Sequence, residues 1–449
     1  MRERFDAQLR IGSIPISEIK IPTKSRDEFP PYLRAIQEIY NNPEISTAIF
    51  DLVEKAVCKK NTRNGRPGMN LWTIFVLAGA RMCLGTDCCV KMIGYCDAFV
   101  EDDDISLQTI KDNVTLLDDK TLKGINDVLV QMGHGFYKKK ETDLLLVKVD
   151  SYVLESNVHF PTDCNLLWDS SRKSLDMIGK LLFNEPMLEG WRKINKWRKE
   201  LKTKSLILSR TKASSAKGKE ERVEKATNAY LEVARNLAHK IETFVMETEF
   251  NYEKQESILL NLCYFQSMMI KHIDLVHRRL ILKEKIPASE KIFSIFETYT
   301  EWITKGKMRP TVELGKRVNF TTDQFHLIID WEISNHTADV DMLIPLVNRL
   351  IAKYKIQRLS ADKGYFKKEY RDLIAEFIPQ VVIPKKGKLS VAEREIESAP
   401  IFCKARYGHS AIESNINEAE HRGLDRCKDK GYTGFEKYVG LGVIAYNLK

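Results

Sequence analysis

The sequence predicts an α/β protein in which strands deliver acidic side chains and a long helical stretch interrupts them. Three observations carry this. The run DLLLVKVDSYVLESNVHF from Asp143 is apolar and β-prone, and it presents Asp150. Beyond residue 310, short β-prone segments alternate with amphipathic helical ones. Between the two, from about residue 165 to 305, the apolar positions keep a helical period.

Taken in order, residues 1–45 mix prolines with charge (IPISEIKIPTKSRDEFPPY) and predict an irregular arm. Residues 46–140 read as helices: NPEISTAIFDLVEKAV, then NLWTIFVLAGARMCL after a GRPG turn, then SLQTIKDNVTLLDDKTLKGINDVLVQMG. Asn70 is a candidate cap for the second of these. Short helices joined by short turns suit a helix-turn-helix DNA reader, and equally any small helical bundle. The segment is expected to be a DNA-binding domain.

The strand at Asp143 ends this region, and residues 165–305 follow as an inserted helical domain. Within it, WRKINKWRKELKTKSLILSRTKASSAKGKEER is strongly basic. Trp191 and Trp197 among these cations suit contact with a DNA backbone, although a solvated face of a helical hairpin is the commoner outcome of such a run. After a turn at KGKMRP come two strands (GKRVNFTT, FHLIIDWEIS) and the helix DVDMLIPLVNRLIAKY. A third strand, IQRLSADKGY, leads into Asp362, and the helix KKEYRDLIAEF and the strand QVVIPKKG follow. SVAEREIESAPIF reads as a connection, and HSAIESNINEAEHRGL as a helix carrying Glu413.

Bulk properties narrow the function. A chain of 449 residues exceeds the size at which one hydrophobic core keeps growing, so two or three domains are expected. A hydrophobic share of 43% excludes a disordered chain. The formal charge of +9 favours polyanionic partners, though many basic proteins bind no nucleic acid. Cys83, Cys88, Cys89 and Cys96 lack the CxxC pairs of a zinc module, and the nine cysteines are read as reduced thiols. The charged start MRERFDAQLRIG does not suit a signal peptide, and the apolar run from Leu71 is too short to span a bilayer. A cytoplasmic, nucleoid-associated protein without membrane contact is expected.

Two strand-end aspartates and a helix glutamate are the donor set of a two-metal phosphodiester site. Two Mg²⁺ ions roughly 3.5 to 4 Å apart would generate the nucleophile and spread charge on the leaving oxygen, and hard cations require carboxylate oxygens. Asp150 would bridge the ions, with Asp362 and Glu413 completing either side. Each acid also has an ordinary reading as the start of a turn. Spacing does not decide, since 211 residues separate the first two acids and 50 the second pair.

Three ordered blocks do decide. VDSYVLESNVHFPTDCNLLWDSSRK, LSADKGYFKKEY and HSAIESNINEAEHRGLDRCKDKGYTGFEKYVGLGVIAYNL resemble the catalytic blocks of bacterial insertion-sequence transposases with a DDE active site, most closely the ISNCY-type group. The family's Asn, His, Pro-Thr-Asp signature is matched by Asn157, His159, Pro161, Thr162 and Asp163. Its Ala-Asp-Lys-Gly-Tyr is intact from Ala361 to Tyr365, and Ile412-Glu413-Ser414 matches its glutamate helix. GRPGMNLWTIFVLAGARMCLGTD also resembles the N-terminal helical domain of these proteins.

The resemblance implies a ribonuclease-H-like catalytic domain, a mixed sheet flanked by helices, formed by residues 141–164 and 306–449 around the insertion. It implies Mg²⁺ (or Mn²⁺) at Asp150, Asp362 and Glu413, element terminal inverted repeats and target DNA as double-stranded partners, and a homodimer in the DNA complex. One departure concerns the Tyr, Arg, Glu, Lys arrangement of related enzymes. Tyr407 is present, but His409 stands at the arginine position and Glu420 near the lysine. Phosphate contacts would then fall to His409, His421 and Arg422, with Lys363 beside Asp362 on the scissile strand. His159, at a strand end, could position a DNA phosphate or brace Asp150. His409 as a backbone-bonded helix residue, His159 as a buried imidazole and Lys363 as a surface pair are the plain alternatives. Competing readings of the whole chain are a DNA-binding regulator without catalysis, or a structural-metal or RNA-processing nuclease on the same fold.

Overall fold

The computed structural model describes all residues except 1, 6–13, 28, 58–67, 86–87, 101–104, 141 and 305–310. The turn at KGKMRP and most of that at GRPG lie outside the described residues. Two compact units emerge: Met1–Asn157 with Glu301–Lys449, and Val158–Thr300.

The first unit begins with six helices: α1 (Phe29–Asn41), α2 (Pro43–Val57), α3 (Leu71–Cys83), α4 (Cys89–Cys96), α5 (Leu107–Val114) and α6 (Asp119–Phe136). Helix α1 occupies a stretch whose prolines read as irregular. Its prolines sit in the first turn, where their missing N–H groups would have had no helical acceptor. Asn70 caps α3 by accepting the Thr73 N–H at 2.7 Å, and Asp118 caps α6 through Thr121 at 2.9 Å. From Leu71 to Met82 every residue of α3 is buried, as expected of a helix apolar on all faces. At Gly79 a Cβ would fall 2.6 Å from the Tyr32 hydroxyl, which donates to the Val76 carbonyl, so α1 and α3 require glycine at this approach.

Strand β1 (Leu145–Ser156) closes the N-terminal half of this unit. The chain re-enters at β2 (Glu301–Thr304) and continues through β3 (Val312–Thr322), β4 (Ile328–Ile333), α11 (Asp339–Ile351), β5 (Ile356–Ala361), α12 (Lys368–Ala375) and β6 (Gln380–Val382); α7 to α10 belong to the other unit. Then come α13 (Val391–Ser398), α14 (Pro400–His409), α15 (Ala411–Ala419), β7 (Arg426–Cys427) and α16 (Tyr432–Asn447). The stretch read as a plain connection is thus two helices. Ser390 and Glu393 form a full capping box at α13, and Pro400 opens α14.

Strand β1 pairs antiparallel with β3 on one edge, and parallel with β5 and then β7 on the other. The far edge of β3 is shared by β4 and β2, and β6 extends the sheet beyond β5. One core joins Val147, Val149 and Leu359 of the sheet to Leu343, Leu346 and Leu350 of α11. Helix α16 packs against α3 and α6, and a closed polar network ties it to the sheet. Asn447 accepts the Ile328 N–H at 2.9 Å and donates to Asn126, which donates to the Ile328 carbonyl. Each buried amide finds partners, so the network fixes one arrangement of α6, α16 and β4.

The second unit is helical: α7 (Asp163–Asn184), α8 (Ile194–Ala213), α9 (Lys219–Glu247) and α10 (Tyr252–Leu280). Leu175, Ile178, Leu201, Leu208, Tyr230, Leu237 and Met269 meet in one core.

Gly315 faces the backbone of β1, and a Cβ there would lie 2.0 Å from the Leu154 carbonyl oxygen. Gly315→Ala is expected to lower unfolding free energy by about 1–3 kcal/mol or more, because backbone cannot rotate aside as a side chain does. Urea unfolding measures this, and a loss within error would show that β1 and β3 tolerate the shift.

Candidate active site

Register brings the two aspartates side by side where β5 ends; Asp150 itself lies in the middle of β1, which continues to Ser156, and not at the strand end that the sequence suggested. Val149 of β1 pairs with Ala361 of β5 in parallel, so the next residue of each chain is an acid, Asp150 and Asp362. Strand β5 stops there because the Asp362 carbonyl accepts the Tyr365 N–H at 3.1 Å, closing a single 3₁₀ turn. Tyr365 is buried and its hydroxyl donates to Asn319 of β3, which anchors this turn. Helix α14 packs on β5, and α15 packs on β1 with Glu413 in its first turn. Two residues on, Asn415 is buried and its Oδ1 lies 3.0 Å from His326 Nδ1 in the β3–β4 hairpin, which fixes the rotation of α15.

Asp150 lies in the field of the other acids. Asp150 has its pKa pushed up to about 6, first by burial and then by the negative charges of Asp362, Glu413 and Asp339. The Ser151 N–H, donating to Asp150 Oδ1 at 2.7 Å, opposes the rise. Asp339 was not singled out from the sequence. Its signal was the acid-rich helix start DVD just after a strand, and its carboxylate is held by Arg317 at 3.1 Å. Among the described residues, no three His, Cys, Asp or Glu side chains form a ready-made metal group. The donor chemistry nonetheless fits a hard divalent cation, being oxygen throughout and concentrating negative charge around a partly buried carboxylate that a cation would relieve.

The other candidates separate. Lys363 is exposed beside Asp362, and His421 is exposed. His409 is half-buried, with Nδ1 3.2 Å from the Ser360 hydroxyl. Burial holds its pKa below the ordinary imidazole range, and Asp362 opposes that shift, so it is a neutral ring at pH 7. Arg422 is only 3% exposed and pairs with Glu418 at 3.3 Å, in a kink where Gly423 takes a φ of 94°; its guanidinium supports the helix junction and is not turned to a phosphate. Tyr407 is exposed and Glu420 half-buried. In the helical unit, Trp191 is 5% exposed and belongs to the core, edge-on to Phe244. Trp197 packs against the same core from its margin. The large aromatic faces are used for packing, which removes Trp191 as a DNA contact. His159 is exposed, unlike the buried imidazole considered above, with Nε2 3.3 Å from Asp169; Asp163 opens α7 and pairs with Arg279 at 2.8 Å.

A mixed sheet whose central strands gather carboxylates side by side, with helices flanking it, is a ribonuclease-H-like fold. Residues 293–448, about a third of the chain, match the family described as "Transposase DDE domain", so this part of the chain is similar to DDE transposases. No curated protein and no solved structure matches the chain. No helix among the described residues is long and apolar enough to cross a membrane.

The raised pKa of Asp150 has a sign. Below about pH 4 the carboxyl is protonated in folded and unfolded chains alike and costs nothing. Between about pH 4 and 6 the unfolded chain gives up its proton while the folded carboxyl keeps it, so stability falls across that window and levels off above it. In chelator, Asp150→Asn should therefore stabilise the protein at pH 8 by up to about 2–3 kcal/mol and leave it unchanged at pH 4. Urea melts at the two pH values test this, and equal effects at both would refute the electrostatic account.

Proposed function

We propose that the protein is a DDE transposase of the insertion-sequence type, that Asp150, Asp362 and Glu413 are its catalytic carboxylates and that they hold two Mg²⁺ ions, with Mn²⁺ able to substitute. The register that pairs Val149 with Ala361, and so sets two aspartates side by side, carries this reading. When bound, the ion pair supplies a nucleophile at neutral pH and offsets charge on the leaving oxygen. Asp150, flanked by both other acids, is the residue suited to bridge. Glu413 approaches from α15, whose rotation Asn415 fixes. Lys363 offers a cation to the scissile strand, and the neutral His409 offers an N–H to a phosphate oxygen without adding charge. His421 is a further candidate contact on the exposed side of the helix junction.

The substrate we infer is double-stranded DNA bearing the element's terminal inverted repeats, with the helices of residues 46–140 reading the ends. Hydrolysis frees a 3′-hydroxyl, which then attacks target DNA at the same site. Holding two ends together calls for two copies of the chain, so a homodimer is the expected form in the DNA complex. Three sequence blocks support membership of the ISNCY-type group. Residues 141–164 and 306–449 would form the catalytic domain, with 165–305 as its insertion.

Asp150→Ala, Asp362→Ala and Glu413→Ala should each lower Mg²⁺-dependent cleavage of an end-containing duplex by at least about 10³-fold, the equivalent of several kcal/mol of lost charge stabilisation. End binding should stay within about twofold, since metal ligands contribute little to backbone neutralisation. Wild-type cleavage by any one variant would remove that residue from the site, and wild-type protein inert with Mg²⁺ and Mn²⁺ on its own ends would remove the catalytic assignment.

A further inference from the structure

Charge in the helical unit is concentrated on one helix. Helix α8 carries seven lysines and arginines against Glu200 alone. Its neighbours are balanced: three against three on α7, five against six on α9, and four against three on α10. Solvation alone would spread cations over all exposed faces, as on those three helices.

The charges of α8 also form a stripe. At about 100° per residue, Lys196, Lys199 and Arg210 fall within roughly 60° of one another, opposite Leu201 and Leu208, and Lys202 flanks them. Leu201 and Leu208 are the two residues of α8 that are fully buried. Lys196, Lys199, Lys202 and Arg210 are all exposed, and none is in an ion pair among the described residues. Arg198, by contrast, is satisfied by Asp176 at 2.6 Å and lies off the stripe. The four free cations extend over about 21 Å at 1.5 Å per residue. Duplex DNA presents a phosphate about every 3.4 Å along each strand, so a rod of this length faces several phosphates in a row. Just before the helix, Arg192 and Lys193 are also exposed, and with Lys196 and Lys240, against Glu189 and Glu200, they line the cavity over Trp191 and Trp197. The tryptophans thus serve as the floor that holds basic side chains at the surface, with Lys240 5.0 Å above the Trp191 ring.

We propose that the exposed stripe Lys196–Lys199–Lys202–Arg210 of α8 is a sequence-independent docking surface for the backbone of duplex DNA, giving the helical unit a binding role of its own. The inference rests on DNA being this protein's substrate. It adds a contact area remote in sequence from the three acids and from the helices of residues 46–140. The occupant is the phosphate backbone and not base edges, because three of the four cations are lysines, point charges that attract phosphate without the planar donor pairs by which arginine reads guanine.

The test uses the full chain with all four residues changed to alanine (K196A/K199A/K202A/R210A), a set that touches no core residue. Fluorescence anisotropy on a duplex carrying the element end, and on an unrelated duplex of equal length, is read from 50 to 200 mM salt. The slope of log affinity against log salt should shallow by about 3–4, at roughly 0.9 per phosphate contact. Binding should weaken by the same factor on both duplexes, and the thermal melt should be unchanged. An unchanged slope on a folded variant overturns the proposal, as does a loss confined to the specific end. Leu206 and Ile207, 47% and 46% exposed, lie among these cations. A variant that binds DNA normally but loses self-association would assign the stripe to a second copy and likewise overturn the proposal. Should the parent protein bind the duplexes with the predicted slope and yet cleave neither with Mg²⁺, the catalytic reading fails while the docking surface stands.

Discussion

The pairing of β1 on both its edges is the constraint on which the rest of this molecule depends. One edge receives β3 in antiparallel register and the other receives β5 in parallel, so the position of Asp150 relative to Asp362 is set by backbone hydrogen bonds and not by side-chain packing. Backbone ladders are stiff and cannot slip by one residue without turning a buried face to water. The core of Val147, Val149 and Leu359 against α11 enforces that register. Placement of two acids is therefore a by-product of the strongest structural element.

The third acid is held by weaker means. Glu413 depends on a helix oriented by packing, by the Asn415–His326 contact and by the junction where Arg422 and Gly423 kink the chain. A helix held by a few side chains leaves its glutamate freer than the two aspartates beside the paired strands. That division accords with the absence of a closed metal group among the described residues, together with a field that already raises the Asp150 carboxyl. On the proposed assignment, two rigid donors and one adjustable donor would leave an oxygen cage room for a substrate phosphate.

Much of this was legible in the residues. The β1 segment, the amphipathic α11 and the Asp362 turn each show a pattern of period or punctuation that local physics imposes, and the structure has them where the sequence suggested. What escaped was tertiary in origin. Asp339 acquires its meaning from a sheet end that no local pattern reveals. Arg422 reads as a free cation until a kink buries it against Glu418. Trp191 lies in a basic run, which says nothing of the core its ring fills. Helices α13 and α14 were missed for a different reason: the Ser390–Glu393 capping box was present in the sequence, but eight- and ten-residue helices offer too few turns for periodicity to stand out.

The central strand and its antiparallel partner are separated in the sequence by the whole helical unit, residues 158–300. At ribosomal speeds of about 5–20 residues per second, on the order of ten seconds pass between synthesis of β1 and synthesis of β3. Through that interval a twelve-residue, β-prone ribbon waits with both hydrogen-bonding edges open. The helices made meanwhile need no partner from the sheet, so they fold first and shorten the loop that β3 must close. The step of synthesis most exposed to mispairing is therefore the wait of β1 for its partner strand.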